Sequence, residues 1–180
     1  DEKRSGVLID QDSAPWTTRR PSVPSTTPSP ATGNRLRGYF LPVGLHARIK
    51  AAWWGTRDTA DAAPTLASLV AQLLVAGAGR LEDRYNDGEP FPAAPEGARG
   101  RALGDGEQRN HSYFLPDAVH ARAKAAWWAT RDRDAGYPSM SSMVAALLTE
   151  EATRLEEKYN AGAPFPEAPI GARGVDPEAA

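Results

Sequence analysis

Leu45, Ile49, Ala52, Trp53 and Thr56 are spaced 4, 3, 1 and 3 residues apart, the stripe that one face of an α-helix produces. Val119, Ala123, Ala126, Trp127 and Thr130 repeat it. These stripes predict helices over 43–57 and 117–131, each broken by Asp- or Gly-rich residues that end in Pro64 or Pro138. A longer helix follows each one. Thr65 or Ser139 supplies its cap, and Gly88 or Gly162 its stop. Its apolar positions are Leu69, Val70, Leu73, Leu74 and Leu81, matched by Met143, Val144, Leu147, Leu148 and Leu155. Upstream, RLRGYFL (35–41) and RNHSYFL (109–115) have the length and aromatic content of strands, and Pro42 or Pro116 closes each. Downstream, PFPAAPEGARG (90–100) has no periodicity and reads as an irregular surface segment.

The chain repeats itself with a shift of 74. Residues 39–100 align with 113–174 without a gap, and 37 of the 62 positions are identical. YFLP, HAR-K-AAWW-TRD, RLE, YN-G-PFP and GARG all recur. Two copies at this period are too few and too long for a solenoid, which leaves two small domains or one two-fold pseudo-symmetric unit. The expected organisation is a Pro/Ser/Thr-rich tail over 1–34, a first copy over 35–100 and a linker over 101–108. A second copy over 109–174 and a C-terminal tail over 175–180 complete it. The N-terminal tail has too little apolar content to offset chain entropy and is expected to be disordered.

A lone strand leaves its backbone groups unpaired, and two short helices bury little core. Each copy therefore needs another. The connector 87–108 spans 22 residues, on the order of 70 Å when extended, so the two strands can pair antiparallel within one chain. High effective concentration favours that pseudo-dimer over a homodimer in which like copies of two chains pair.

Composition narrows the choices. With no cysteine, disulfides are excluded and zinc has no thiolate ligand. No apolar run reaches bilayer length and no signal-peptide core is present, so a soluble intracellular protein is expected. The chain begins at Asp1 rather than Met, consistent with sequence upstream. Net charge is only −2, but residues 35–57 carry five cations and no acid. Residues 109–131 carry four cations against Asp117, while 58–104 and 132–180 are acidic. A partner that meets one face responds to that distribution rather than to the sum. A paired ribbon with basic neighbours suits the major groove of B-DNA. The start of each longer helix, with Thr65 or with Ser139 and Ser141, suits a backbone phosphate.

Leu41-Pro42 with Leu45 and Ile49, and Leu115-Pro116 with Val119 and the turn 136–141, resemble the ribbon-helix-helix DNA-binding superfamily. The YN-G-PFP segment makes the likeness strongest to plasmid centromere-binding ParB-type partition proteins of high-GC Gram-positive bacteria. The resemblance covers 39–100 and 113–174. It implies a mainly α fold with a short antiparallel β-ribbon, a tandem ribbon-helix-helix, located in the cytoplasm on DNA. The implied function is sequence-specific binding of double-stranded DNA at repeated sites of a plasmid centromere. It further implies a ParA-type partition ATPase as partner, touched by a tail arginine: Arg4, Arg19 or Arg20. A transcriptional repressor or conjugation accessory protein would look much the same. From another class, the rival is a helical protein-interaction module that does not bind DNA, which the acidic total charge favours slightly.

In that superfamily alternate strand residues read bases, and the register decides which. If Leu41 and Leu115 face the core, the readers are Leu36, Gly38 and Phe40 with Asn110, Ser112 and Phe114. Polarity alone selects the other face: Arg35, Arg37 and Tyr39 with Arg109, His111 and Tyr113. A slip of one residue exchanges the sets. The superfamily register is preferred for the second copy, where Asn110 suits adenine. The first copy departs from the superfamily pattern at Leu36 and Gly38, so it is expected either to read a different half-site or to contribute mostly arginine contacts to phosphates. Arg35 and Arg109 are expected to support affinity on all sequences.

Other polar groups have blander readings. Arg48, Lys50, Arg122 and Lys124 read equally well as solvated helix charges. His46 and His120 read as surface or interface residues, since no ligand recurs at metal spacing. Glu150, Glu151, Glu156 and Glu157 read as a solvated helix face. No phosphate loop, nucleophile elbow or triad pattern is present, so neither enzymatic activity nor a cofactor is expected. Trp53 and Trp127 fall on the apolar stripe, and Trp54 and Trp128 point about 100° away.

Overall fold

The computed structural model describes residues 33–101, 106–134 and 136–173. The N-terminal residues 1–32, with Arg4, Arg19 and Arg20, and the C-terminal tail 175–180 lie outside the described residues. Six elements follow in order: β1 (Asn34–Pro42), α1 (Leu45–Gly55), α2 (Leu66–Tyr85), β2 (Gln108–Pro116), α3 (Asp117–Thr130) and α4 (Met140–Tyr159). The fold is mainly α with a short two-stranded antiparallel ribbon, as the periodicity and the resemblance led us to expect.

β1 and β2 pair with each other along their whole length, so the chain satisfies its own strands. Gly38 faces Ser112, the position reached from it by the shift of 74. A pseudo-two-fold axis therefore passes through the centre of the ribbon. Beneath it the helices cross over, α1 packing on α4 and α3 on α2. Tyr39, Leu41, Tyr113 and Leu115 point down into one core with Ile49, Leu74, Met143 and Leu148.

The helices follow their stripes. Leu45, Ile49, Ala52, Trp53 and Thr56 are all buried, as are Ala123, Ala126, Trp127 and Thr130, and Val119 is half-buried. α1 starts two residues later than its stripe predicts. Gly44, its N-cap, has φ +87°, a left-handed conformation that keeps Val43 outside the helix. The Val43 N–H instead extends the ribbon by donating to the Glu107 carbonyl at 3.1 Å. α3 lacks such a glycine and starts directly after Pro116. α2 and α4 each open on a reciprocal capping box, Thr65 with Ser68 and Ser139 with Ser142.

The doubled tryptophans divide their work. Trp53 donates from Nε1 to the Ala63 carbonyl at 2.8 Å, and Trp127 to the Tyr137 carbonyl at 2.9 Å, which ties each helix-to-helix loop to the core. Trp54 and Trp128 stay half-buried under the guanidinium groups of Arg57 and Arg131.

The YN-G-PFP segments are helix stops that reverse the chain. Two successive left-handed residues, Asp87 with Gly88 and Ala161 with Gly162, follow each asparagine. The asparagine then straps the reversal: Asn86 Nδ2 donates to the Glu89 carbonyl at 2.7 Å, and Asn160 Nδ2 to the Ala163 carbonyl at 2.8 Å. The segments remain irregular, yet Phe91 packs against the core and Phe165 lies over Gly55 of α1. Each half thus reaches across the axis.

Candidate functional site

Alternation along β1 and β2 sorts the ribbon into two faces. Leu41 and Leu115 are fully buried, and the inner face also takes Arg35, Arg37 and Tyr39 with Arg109, His111 and Tyr113. The outer face is Leu36, Gly38 and Phe40 with Asn110, Ser112 and Phe114, all exposed. Of the two registers open to the sequence, the structure adopts the one in which the leucines face inward. Polarity misleads here because tyrosine and arginine carry long apolar bodies that can lie along a core while their polar ends find partners.

Those partners are specific. Arg37 Nη2 donates to Asp117 Oδ1 at 2.6 Å, and Arg35 Nε lies 3.1 Å from Asp117 Oδ2. The Tyr39 hydroxyl shares a hydrogen bond with His120 Nδ1 at 2.9 Å, and the Tyr113 hydroxyl one with His46 Nδ1 at 2.9 Å. Burial, helped by neighbouring cations, pushes both His46 and His120 down to about 4, so each is neutral near pH 7. Burial pushes the Tyr113 hydroxyl up to about 12 and raises that of Tyr39 as well. His111 stacks on His46 with centroids 4.1 Å apart. Arg37 and His111 are thus held beneath the ribbon, whereas Arg35 and Arg109 stay more than two-thirds exposed at its opposite ends.

On the outer face three large apolar side chains meet solvent, Leu36 at 62%, Phe40 at 55% and Phe114 at 58% exposure. Asn110 leans across the ribbon so that its carboxamide occupies the space above Gly38. Ser141 comes to the same site from α4, its Oγ accepting from the Phe40 N–H at 3.1 Å. The other hydroxyls expected here are occupied: Thr65 Oγ1 accepts from the Ser68 N–H at 2.9 Å, and Ser139 Oγ from the Ser142 N–H at 3.0 Å.

Part of the surroundings leaves no local mark in the sequence. The first GARG segment crosses to the start of α4, where the Arg101 N–H donates to the Pro138 carbonyl at 2.9 Å. A cleft of about 790 Å³ beside Phe40 is lined by Arg99, Arg101, Lys124, Ser139 and Ser141. The duplicated GARG was the available signal, but nothing local indicates that it docks on the other half. Among the described residues no group of three metal-ligating side chains comes together. No described helix is long and apolar enough to cross a membrane.

Residues 118–165 match the family model for the centromere-binding protein ParB C-terminal. The matched stretch takes in α3, α4 and the reversal as far as Phe165, and starts just after β2. It supports a place among ParB-type partition proteins. No curated protein and no solved structure matches the chain.

Proposed function

We propose that the chain is a sequence-specific double-stranded DNA-binding protein of the tandem ribbon-helix-helix kind, and that it serves plasmid partition at repeated centromere sites. The observation that carries this reading is the outer face of the ribbon. Three large apolar side chains, Leu36, Phe40 and Phe114, meet water together on that one face. A two-stranded ribbon has the cross-section that the major groove admits, and base edges offer both polar groups and thymine methyls to such a mixed row. Arg35 and Arg109 flank the row at its two ends, and Arg99, Arg101 and Lys124 flank it on the α4 side. Their exposure at the rim of the row, partial at Lys124, supports phosphate contacts by all five. The centromere-binding match supports the partition role over repression or conjugation. That role brings a ParA-type ATPase as partner, met by Arg4, Arg19 or Arg20 of the N-terminal tail.

Fluorescence anisotropy on a repeat-containing duplex and on a scrambled one tests the reading. Binding is expected to weaken steeply with salt, and Arg35→Ala or Arg109→Ala to lower affinity for both duplexes while reducing the salt slope by about one each. Phe114→Ala is expected to narrow the gap between the duplexes. If neither duplex binds at low salt, the reading fails and the protein-interaction module takes its place.

A further inference from the structure

The outer face of the ribbon has a direction. Its rungs are Leu36 opposite Phe114, Gly38 opposite Ser112, and Phe40 opposite Asn110. The shift of 74 exchanges Leu36 with Asn110, Gly38 with Ser112, and Phe40 with Phe114. An ideal two-fold ribbon would carry the same pair at both end rungs. This one is wholly apolar at one end and carries a carboxamide at the other. The centre is uneven too. A Cβ at Gly38 would stand 2.8 Å from Asn110 Oδ1, so the missing side chain is what lets the carboxamide lie across the axis. The flank differs in the same sense, because the position matching Ser141 is Ala67, which has no hydroxyl to offer Phe114.

Resting on the DNA-binding reading above, we infer that the ligand of this ribbon is a non-palindromic duplex. One half presents adenine to Asn110, and the other presents thymine methyls to Leu36 and Phe114. The chemistry of the base edges requires the difference. Asn pairs with the N6 and N7 groups of adenine, and the thymine 5-methyl is the apolar group that the major groove offers. Leu36 makes no hydrogen bonds, so against any other base edge it would strip water from polar atoms and return nothing. A two-chain ribbon built from one sequence repeats its contacts about its axis and selects an inverted repeat. Here each end selects for itself.

The test uses the full chain. Successive rounds of selection from a random duplex pool give the preferred site, and anisotropy measures its variants. The selected site is expected to lack inverted symmetry. Deoxyuridine in place of thymine in one half should lower affinity about threefold to fivefold per methyl contacted, and Leu36→Ala should reduce that sensitivity to the part Phe114 supplies. Replacing adenine by 7-deazaadenine in the other half should lower affinity about tenfold, and Asn110→Ala should remove the effect. The double variant Leu36→Asn with Gly38→Ser, which puts the β2 row on both strands, should move the preference to an inverted repeat. All three substituted positions are exposed, so the variants keep the core. A wild-type chain that prefers an inverted repeat, or that ignores deoxyuridine in both halves, overturns the inference and leaves the DNA-binding reading standing. A chain that retains no duplex overturns both.

Discussion

Glu156 shares a helix with Glu150, Glu151 and Glu157, and the sequence groups the four as one solvated face. The structure buries Glu156 and aims Arg48 at it from the other half, Nε to Oε1 at 2.9 Å, with Arg122 and Glu82 repeating the pair about the axis. The correction has a physical cause: a carboxylate can be buried when a guanidinium from another element meets it, and that meeting is long-range. The Arg48 hydrogen bond holds the Glu156 carboxyl below the usual range, so its contribution is present above about pH 4.5 and is lost as pH falls through the lower folded value. Arg48→Ala should therefore cost roughly 2 kcal/mol in urea unfolding at pH 7, with a smaller deficit in acid. The histidines titrate in a higher window. His46 faces His111, Lys50 and Tyr113, and His120 faces Arg37, Lys124, Asp117 and Tyr39. Their folded values near 4 lie below the unfolded 6.5, so the unfolded chain binds protons first as pH drops. Stability should be full above pH 6.5 and fall roughly 3 kcal/mol per histidine by pH 4, and His46→Gln with His120→Gln should flatten that slope.

At the scale of elements, the helices were legible because an apolar stripe is a local signal that burial then enforces. The strands were legible as strands, and their mutual pairing followed from the needs of an unpaired backbone. Their facing was not, since Arg37, Tyr39, His111 and Tyr113 look like surface residues until Asp117, His120 and His46 arrive from elsewhere. The reversals after α2 and α4 were legible only as repeated letters. Their content is a pair of left-handed residues and a distant contact, neither of which leaves periodicity. That contact makes a prediction. A Cβ on Gly55 would stand 2.3 Å from Phe165 Cδ1, so Gly55→Ala must displace the ring. The expected loss is roughly 1–2 kcal/mol in thermal unfolding, with faster proteolytic cleavage near Phe165. Removing the methyl of Ala129, the matching position in α3, should leave the Phe165 region as resistant as in the wild type.

Across the whole molecule, the two halves share one core and exchange Arg–Glu pairs and the Tyr–His hydrogen bonds. Neither half covers its own apolar surface. Unfolding should therefore be a single transition whose urea midpoint stays constant over roughly a hundredfold range of protein concentration, as sedimentation and fluorescence together can check. A midpoint that rises with concentration would show that strands pair between chains instead. The charges are also unevenly placed at this scale: exposed Arg35, Arg109, Arg99 and Arg101 lie around the ribbon, while Asp83, Glu150, Glu151 and Glu157 lie along α2 and α4.

The connection between β1 and β2 also sets a reaction order. When a ribbon must be assembled from two chains, the amount available at low dose grows with the square of the protein supplied, and a halved supply leaves a quarter of the binder. Here both strands arrive on one polypeptide. Occupancy of whatever the ribbon holds then tracks supply in direct proportion, and a halved dose leaves half.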